Sequence, residues 1–127
     1  LYGMAARDEK IAAAIADAVK PFGVPLLGMA FTAHERAYQE KGVAMVGEFY
    51  ADLDYDPDGN LILSRVHDAV DPAEAAARVL RVIRDGVVAT TAGRDIPVKA
   101  GSICVHSDTP AAPAIAAAVK RVLQQGA

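Results

Sequence analysis

Three short apolar runs, separated by helix-type segments, constrain this chain more than any other feature. They are Val24-Pro25-Leu26-Leu27-Gly28-Met29, Val43-Ala44-Met45-Val46-Gly47-Glu48 and Ser102-Ile103-Cys104-Val105-His106. Hydrophobicity that is continuous rather than alternating, over so few residues, predicts strands buried on both faces, as in parallel sheets covered by helices. Residues 5–19 carry Ile11, Ile15, Ala18 and Val19 on one helical stripe, closed by Pro21 and Gly23. Thr32-Ala33-His34-Glu35 has the form of a capping box and predicts a helix to about Lys41-Gly42. Asp71-Pro72-Ala73-Glu74 predicts a helix that turns Ala76, Val79, Leu80 and Ile83 inward and ends at Gly86. Thr109-Pro110 repeats the cap-plus-proline start for a last helix through Val119, Val122 and Leu123.

Between these lie a turn at Asp56-Pro57-Asp58-Gly59-Asn60, with Leu61-Ile62-Leu63 as a short strand or extended loop, and a hairpin over 87–99 around Ala92-Gly93-Arg94. The resulting order, α-β-α-β-(hairpin)-α-(hairpin)-β-α, predicts an α/β fold with a mainly parallel sheet.

Composition narrows the function classes. The 127 residues suit one domain. Of the 53% hydrophobic residues, 27 positions are Ala, so the larger apolar side chains form an ordinary globular allotment. A net charge of −3 removes the basic surplus that a non-specific nucleic-acid binder needs. A single Cys excludes an internal disulfide framework and a cysteine-rich zinc site. No apolar run approaches the ~18 residues of a membrane span and no signal segment opens the chain, so a soluble cytoplasmic protein is expected.

In parallel α/β sheets the chemistry sits beyond the carboxyl ends of the strands. The third strand delivers His106, Ser107, Asp108 and Thr109, where an imidazole meets a helix start suited to an anion. A bland alternative has Asp108 or Thr109 capping the helix and His106 donating to a backbone carbonyl. The second strand delivers Glu48 and Asp52, carboxylates placed for proton transfer, or else for a salt bridge and loop capping. Glu48 is the sharper of the two because it closes an apolar run. Cys104 reads as inert core, His34 as part of a solvated helix face, and His67 as a surface residue beside Arg65 and Asp68. Asp54, Asp56, Asp58 and Gly59 lack the rest of a calcium loop, so no metal site is read from the chain. No phosphate-loop or dinucleotide motif is present.

Glu48-Phe49-Tyr50-Ala51-Asp52 with Tyr55, the Asp58-Gly59-x-Leu61 turn, and Ser102-Ile103-Cys104-Val105-His106-x-Asp108-Thr109-Pro110 resemble the LamB/YcsF family in order and separation. The opening Leu1-Tyr2 resembles the end of that family's Lys-Pro-His-Gly-x-Leu-Tyr-Asn motif. Leu53 stands where the family commonly has Arg, and Ser107 where it commonly has Gly. The resemblance implies part of an irregular (β/α) barrel. The chain would be its carboxyl-terminal half, cut inside that motif, which accords with the missing initiating Met. It further implies ATP-dependent opening of 5-oxoproline, or a related small lactam, to L-glutamate, together with two partner subunits of a 5-oxoprolinase. Glu48, Asp52, His106 and Asp108 would act in catalysis, with Ser107 and Thr109 toward the bound cofactor. Two other readings stay open: a non-catalytic module binding a small anion at 106–110, and a barrel half active only with its partner half, whose exposed sheet edges would favour homo-oligomers.

Overall fold

The computed structural model describes residues 1–126 as five α-helices, one short 3-10 turn and five strands. The chain divides into two compact units, Leu1–Glu48 with Lys99–Ser102, and Phe49–Val98 with the chain from Ile103 onward.

In the first unit the amino-terminal helix is interrupted. Helix α1 covers Tyr2–Ala5 and α2 covers Glu9–Val19, because Asp8 accepts from the amides of Lys10 and Ile11 and so starts α2 itself. The expected single helix over 5–19 is therefore corrected by a cap inside it. Its buried centre is Ala12 and Ala16, with Ile11 and Ile15 packed at the margin and Ala18 exposed. The small residues let α2 approach α3 (Ala33–Lys41) closely, and Ala37, Tyr38 and Val43 complete that core. Strand β1 (Leu26–Gly28) pairs in parallel with β2 (Met45–Tyr50), in the register Leu26↔Met45, Leu27↔Val46 and Gly28↔Gly47. Leu27 is half exposed, so β1 is less enclosed than its run of apolar residues predicts. Gly47 is required by its surroundings: a Cβ there would overlap the Lys99 carbonyl oxygen, while Gly101 N–H donates to the Gly47 carbonyl at 2.8 Å.

His34 overturns an expectation. It lies on α3 but is fully buried, stacked on Tyr38 and edge-on to Tyr2, with Met29 N–H donating to its Nδ1 at 3.1 Å. Burial holds its pKa below the usual histidine value, with the Tyr2 main chain pulling more weakly the other way. The polar neighbours Glu35 and Arg36 suggest a solvated face, yet Tyr2 of α1, distant in sequence, covers it.

In the second unit α4 (Pro72–Asp85) packs on α5 (Ala112–Gly126). Asp71 caps α4 through the amides of Ala73 and Glu74, and Gly86 ends it in the left-handed region, as the sequence predicts. The buried stripe is Ala75, Ala76, Val79 and Val82, while Ile83 is rotated out. Strands β3 (Val87–Ala89) and β4 (Asp95–Pro97) form the expected hairpin, and Leu61 makes only an isolated bridge to Tyr55. The sheet order is β1-β2-β5, with β5 at Ser102–Cys104. The fold is thus mixed α/β with parallel pairing and flanking helices. Among the described residues no helix is long and apolar enough to cross a membrane.

Candidate functional site

Strand β2 ends in a tight turn, and that turn carries Asp52. Two anchors hold it. The Ala51 amide donates to the Cys104 carbonyl at 3.1 Å, and the Arg78 guanidinium donates to the carbonyls of Ala51 and Leu53 while lying 6.0 Å from the centre of the Phe49 ring. Phe49 is fully buried and stacks on Tyr55. Aromatic core, guanidinium and turn therefore form one rigid support for a carboxylate.

The side chain of Asp52 is 0% exposed. Its Oδ2 accepts from the His106 amide at 2.8 Å and from the Thr109 hydroxyl at 2.7 Å, and its Oδ1 meets His106 Nδ1 at 3.0 Å. Burial pushes the Asp52 carboxyl upward, but the bonds from Thr109 and His106, together with the His106 charge, outweigh it and hold the group below the usual carboxylate range. A carboxylate in that state accepts only, so His106 Nδ1 carries hydrogen whether or not the ring is charged, and in the neutral ring Nε2 presents a lone pair. His106 is 29% exposed, with Tyr50 stacked on it at 5.8 Å. An ionised aspartate orienting an accessible imidazole is the arrangement that prepares a histidine to take a proton.

The predicted residues separate accordingly. Asp52, His106 and Thr109 come together. Asp108 points outward, 71% exposed, and Ser107 is exposed on the same turn. Glu48 is half-buried within β2, which runs on to Tyr50, so it does not close the strand as its run predicts.

Thr109-Pro110 does not start the last helix either. Helix α5 begins at Ala112, after Ala111 adopts a left-handed φ of 61° and Ala112 N–H donates to the Thr109 carbonyl. The Thr109 hydroxyl that would cap it is instead committed to Asp52, and Pro113 serves the first turn. Neither the capping role nor a helix start at 106–110 holds.

His67 is the residue that sequence reasoning missed. It lies in the loop before α4 with its side chain only 11% exposed, its Nδ1 2.9 Å from Thr109 Oγ1 and 3.6 Å from an Asp108 oxygen, and its ring edge-on to His106 at 5.4 Å. The loop has no periodicity and the partner is 42 residues away, so no local signal points to it. Asp52, His67 and His106 bring ligand-type atoms within 4.8 Å of one another, a grouping of the kind that holds a cation. The hydrogen bonds among Asp52, Thr109 and the two Nδ1 atoms also make the same residues a connected proton network.

Comparison with known proteins agrees in extent and in kind. A family model described as the LamB/YcsF family matches residues 1–127. The chain is 41% identical over 128 residues to the A-type subunit of 5-oxoprolinase from Chloroflexus aggregans, covering 98% of this chain and 51% of that protein. It is 41% identical over 125 residues to the second of the A-type 5-oxoprolinase subunits of Pseudomonas syringae pv. tomato, covering 97% and 50%. The crystal structure of a lactam utilization protein from Thermus thermophilus superposes with a TM-score of 0.83 at 36% identity, over 98% of this chain and 51% of that one. The chain spans about half the length of the relatives it matches.

Proposed function

The chain belongs to the LamB/YcsF family, and from that premise we propose that it is part of a 5-oxoprolinase-type enzyme subunit that opens a small lactam, 5-oxoproline or a close analogue, to L-glutamate. In this reading it forms the carboxyl-terminal half of an irregular (β/α) barrel and works in the cytoplasm with two partner subunits and the rest of its own. The observation that carries the reading is the buried, ionised Asp52 holding Nδ1–H of His106, whose side chain is 29% exposed and leaves Nε2 for proton transfer.

The chemistry demands such a pair. An unstrained five-membered lactam resists water, and its opening requires a base to take a proton as the water oxygen bonds to the amide carbon. His106 Nε2 takes that proton, and Asp52 stabilises the imidazolium that results. Asp52 does not itself become protonated, because three donors hold it as the anion.

ATP would supply the driving force by activating the amide. The residues at 106–110 do not make a cradle for its phosphates, since the Thr109 hydroxyl is committed to Asp52 and α5 begins only at Ala112.

The test is release of glutamate from 5-oxoproline by the full-length protein reconstituted with its partners and ATP. We expect His106→Ala and Asp52→Asn each to lower turnover by roughly 10²–10⁴-fold, the usual contribution of a positioned base. Wild-type activity with either variant fully active would refute the site. No glutamate from the wild-type assembly would refute the substrate.

A further inference from the structure

Three hydrogen bonds around one carboxylate fix the direction of every proton in the network. Asp52 can only accept, so the single Thr109 hydroxyl proton points at Asp52 Oδ2. Thr109 Oγ1 is then left with lone pairs only, and the 2.9 Å approach of His67 Nδ1 requires that nitrogen to carry hydrogen. The chain of donors therefore runs from His67 to Thr109 to Asp52, and a second, direct one runs from His106 to the other oxygen of the same group. Both imidazoles therefore carry hydrogen at Nδ1, which makes Nε2 the position where each ring takes up or gives a proton.

We propose that His67 is a second proton-transfer group of this site, the acid that complements His106 as base. The proposal rests on the lactam-opening reading above. In that step the water oxygen bonds to the amide carbon as the carbon–nitrogen bond breaks. His106 Nε2 gains a proton from the water, and His67, as imidazolium, gives one from Nε2 to the departing nitrogen. One ring gains the proton the other loses, so transfer from His106 back to His67 restores the site.

The two histidines are not equivalent in surroundings, which supports different duties. His106 bonds directly to the ionised Asp52. His67 reaches Asp52 only through Thr109 and has Asp108 at 3.6 Å, an exposed partner that water screens. Among the described residues, the titratable groups that face His67 are thus Asp108, Asp52 by way of Thr109, and the edge of His106.

Two measurements on the full-length assembly decide it. Ring nitrogen NMR across a pH series should find His67 carrying hydrogen at Nδ1 throughout, with Nε2 protonated only in the imidazolium, and Thr109→Val should release that preference at His67 while leaving His106 as it was. A neutral His67 with hydrogen at Nε2 and Nδ1 bare overturns the proposal, as does one-to-one Zn²⁺ binding that displaces both ring protons.

In glutamate release, His67→Gln should lower kcat by about 10²-fold or more with KM little changed, and remove the alkaline limb of the pH profile. Added imidazole should partly rescue His67→Ala. A fully active His67→Gln protein with an unaltered pH profile overturns the proposal. If the wild-type assembly opens no lactam, the substrate reading fails, and the proposed acid–base pairing fails with it even where the tautomers are as expected.

Discussion

Replacing Thr109 by Val keeps the shape of a buried side chain and deletes one hydroxyl, so it isolates the network from the packing. Two bonds are lost: the donor to the fully buried Asp52 carboxylate and the acceptor for His67 Nδ1. A hydrogen bond to a buried charged group contributes about 1.5–3 kcal/mol, more than a neutral one. His67 keeps Asp108 within reach, so its share is small. The expected loss is therefore about 2–3 kcal/mol at neutral pH. With a urea slope of roughly 1–3 kcal/mol/M, the midpoint should fall by about 0.7–3 M.

The pH dependence provides the sharper check. Asp52 has a depressed folded-state pKa, so the stability it contributes is fully present above its unfolded value of ~3.9 and is lost as pH falls through the folded value. The gap between wild type and Thr109→Val should be constant through neutral pH. It should narrow in acid toward the ~0.5–1.5 kcal/mol of a neutral hydrogen bond. Urea titrations of both proteins across that range make the measurement. A loss under ~0.5 kcal/mol at neutral pH, below even the neutral-bond range, or one that does not shrink in acid, would refute the charged-network reasoning.

Three other outcomes rest on the same structure. His34 is buried with a lowered pKa, so the stability it carries is full above ~6.5 and declines as pH drops below that value, when the unfolded chain takes up the proton first. His34→Gln should flatten this decline in a stability-versus-pH series, and an unchanged slope would count against it. Gly47→Ala should destabilise by roughly 2–4 kcal/mol in thermal or urea unfolding, because the added Cβ meets the Lys99 carbonyl, which cannot yield without breaking the Gly101–Gly47 bond. Arg78→Lys should cost about 1–3 kcal/mol and lower kcat more than KM shifts, since an ammonium cannot reproduce the planar fork that holds the Ala51 and Leu53 carbonyls beneath Asp52.

The elements are largely legible because their signals are local. Asp71-Pro72, Gly86 and Gly93 act on their own backbone, and the structure places α4 and the β3–β4 hairpin where those residues predict. Expectation and structure part wherever a local signal is claimed by a distant partner. Thr109 looks like a cap, but the buried Asp52 takes its hydroxyl, and α5 begins at Ala112 instead. His34 sits among polar neighbours, yet its ring is enclosed by Tyr2 and Tyr38. Asp8 reads as one more polar helix residue, and it starts α2.

The same distinction separates the two halves of the candidate site. His106 and Asp52 are legible as polar residues following strands, because a parallel sheet delivers its chemistry there. Their union, at 54 residues' separation, and the entry of His67 from a loop without periodicity, are not. The amino-acid sequence by itself determined the alternation of strands and helices, the turns and most of the caps, since hydrophobic period, Pro and Gly act within a few residues of themselves. Only the tertiary structure decided which carboxylate is buried, which imidazoles it orients and which hydroxyl joins them. Those outcomes depend on desolvation and on three-dimensional distance, and neither is written in the spacing of residues along a chain.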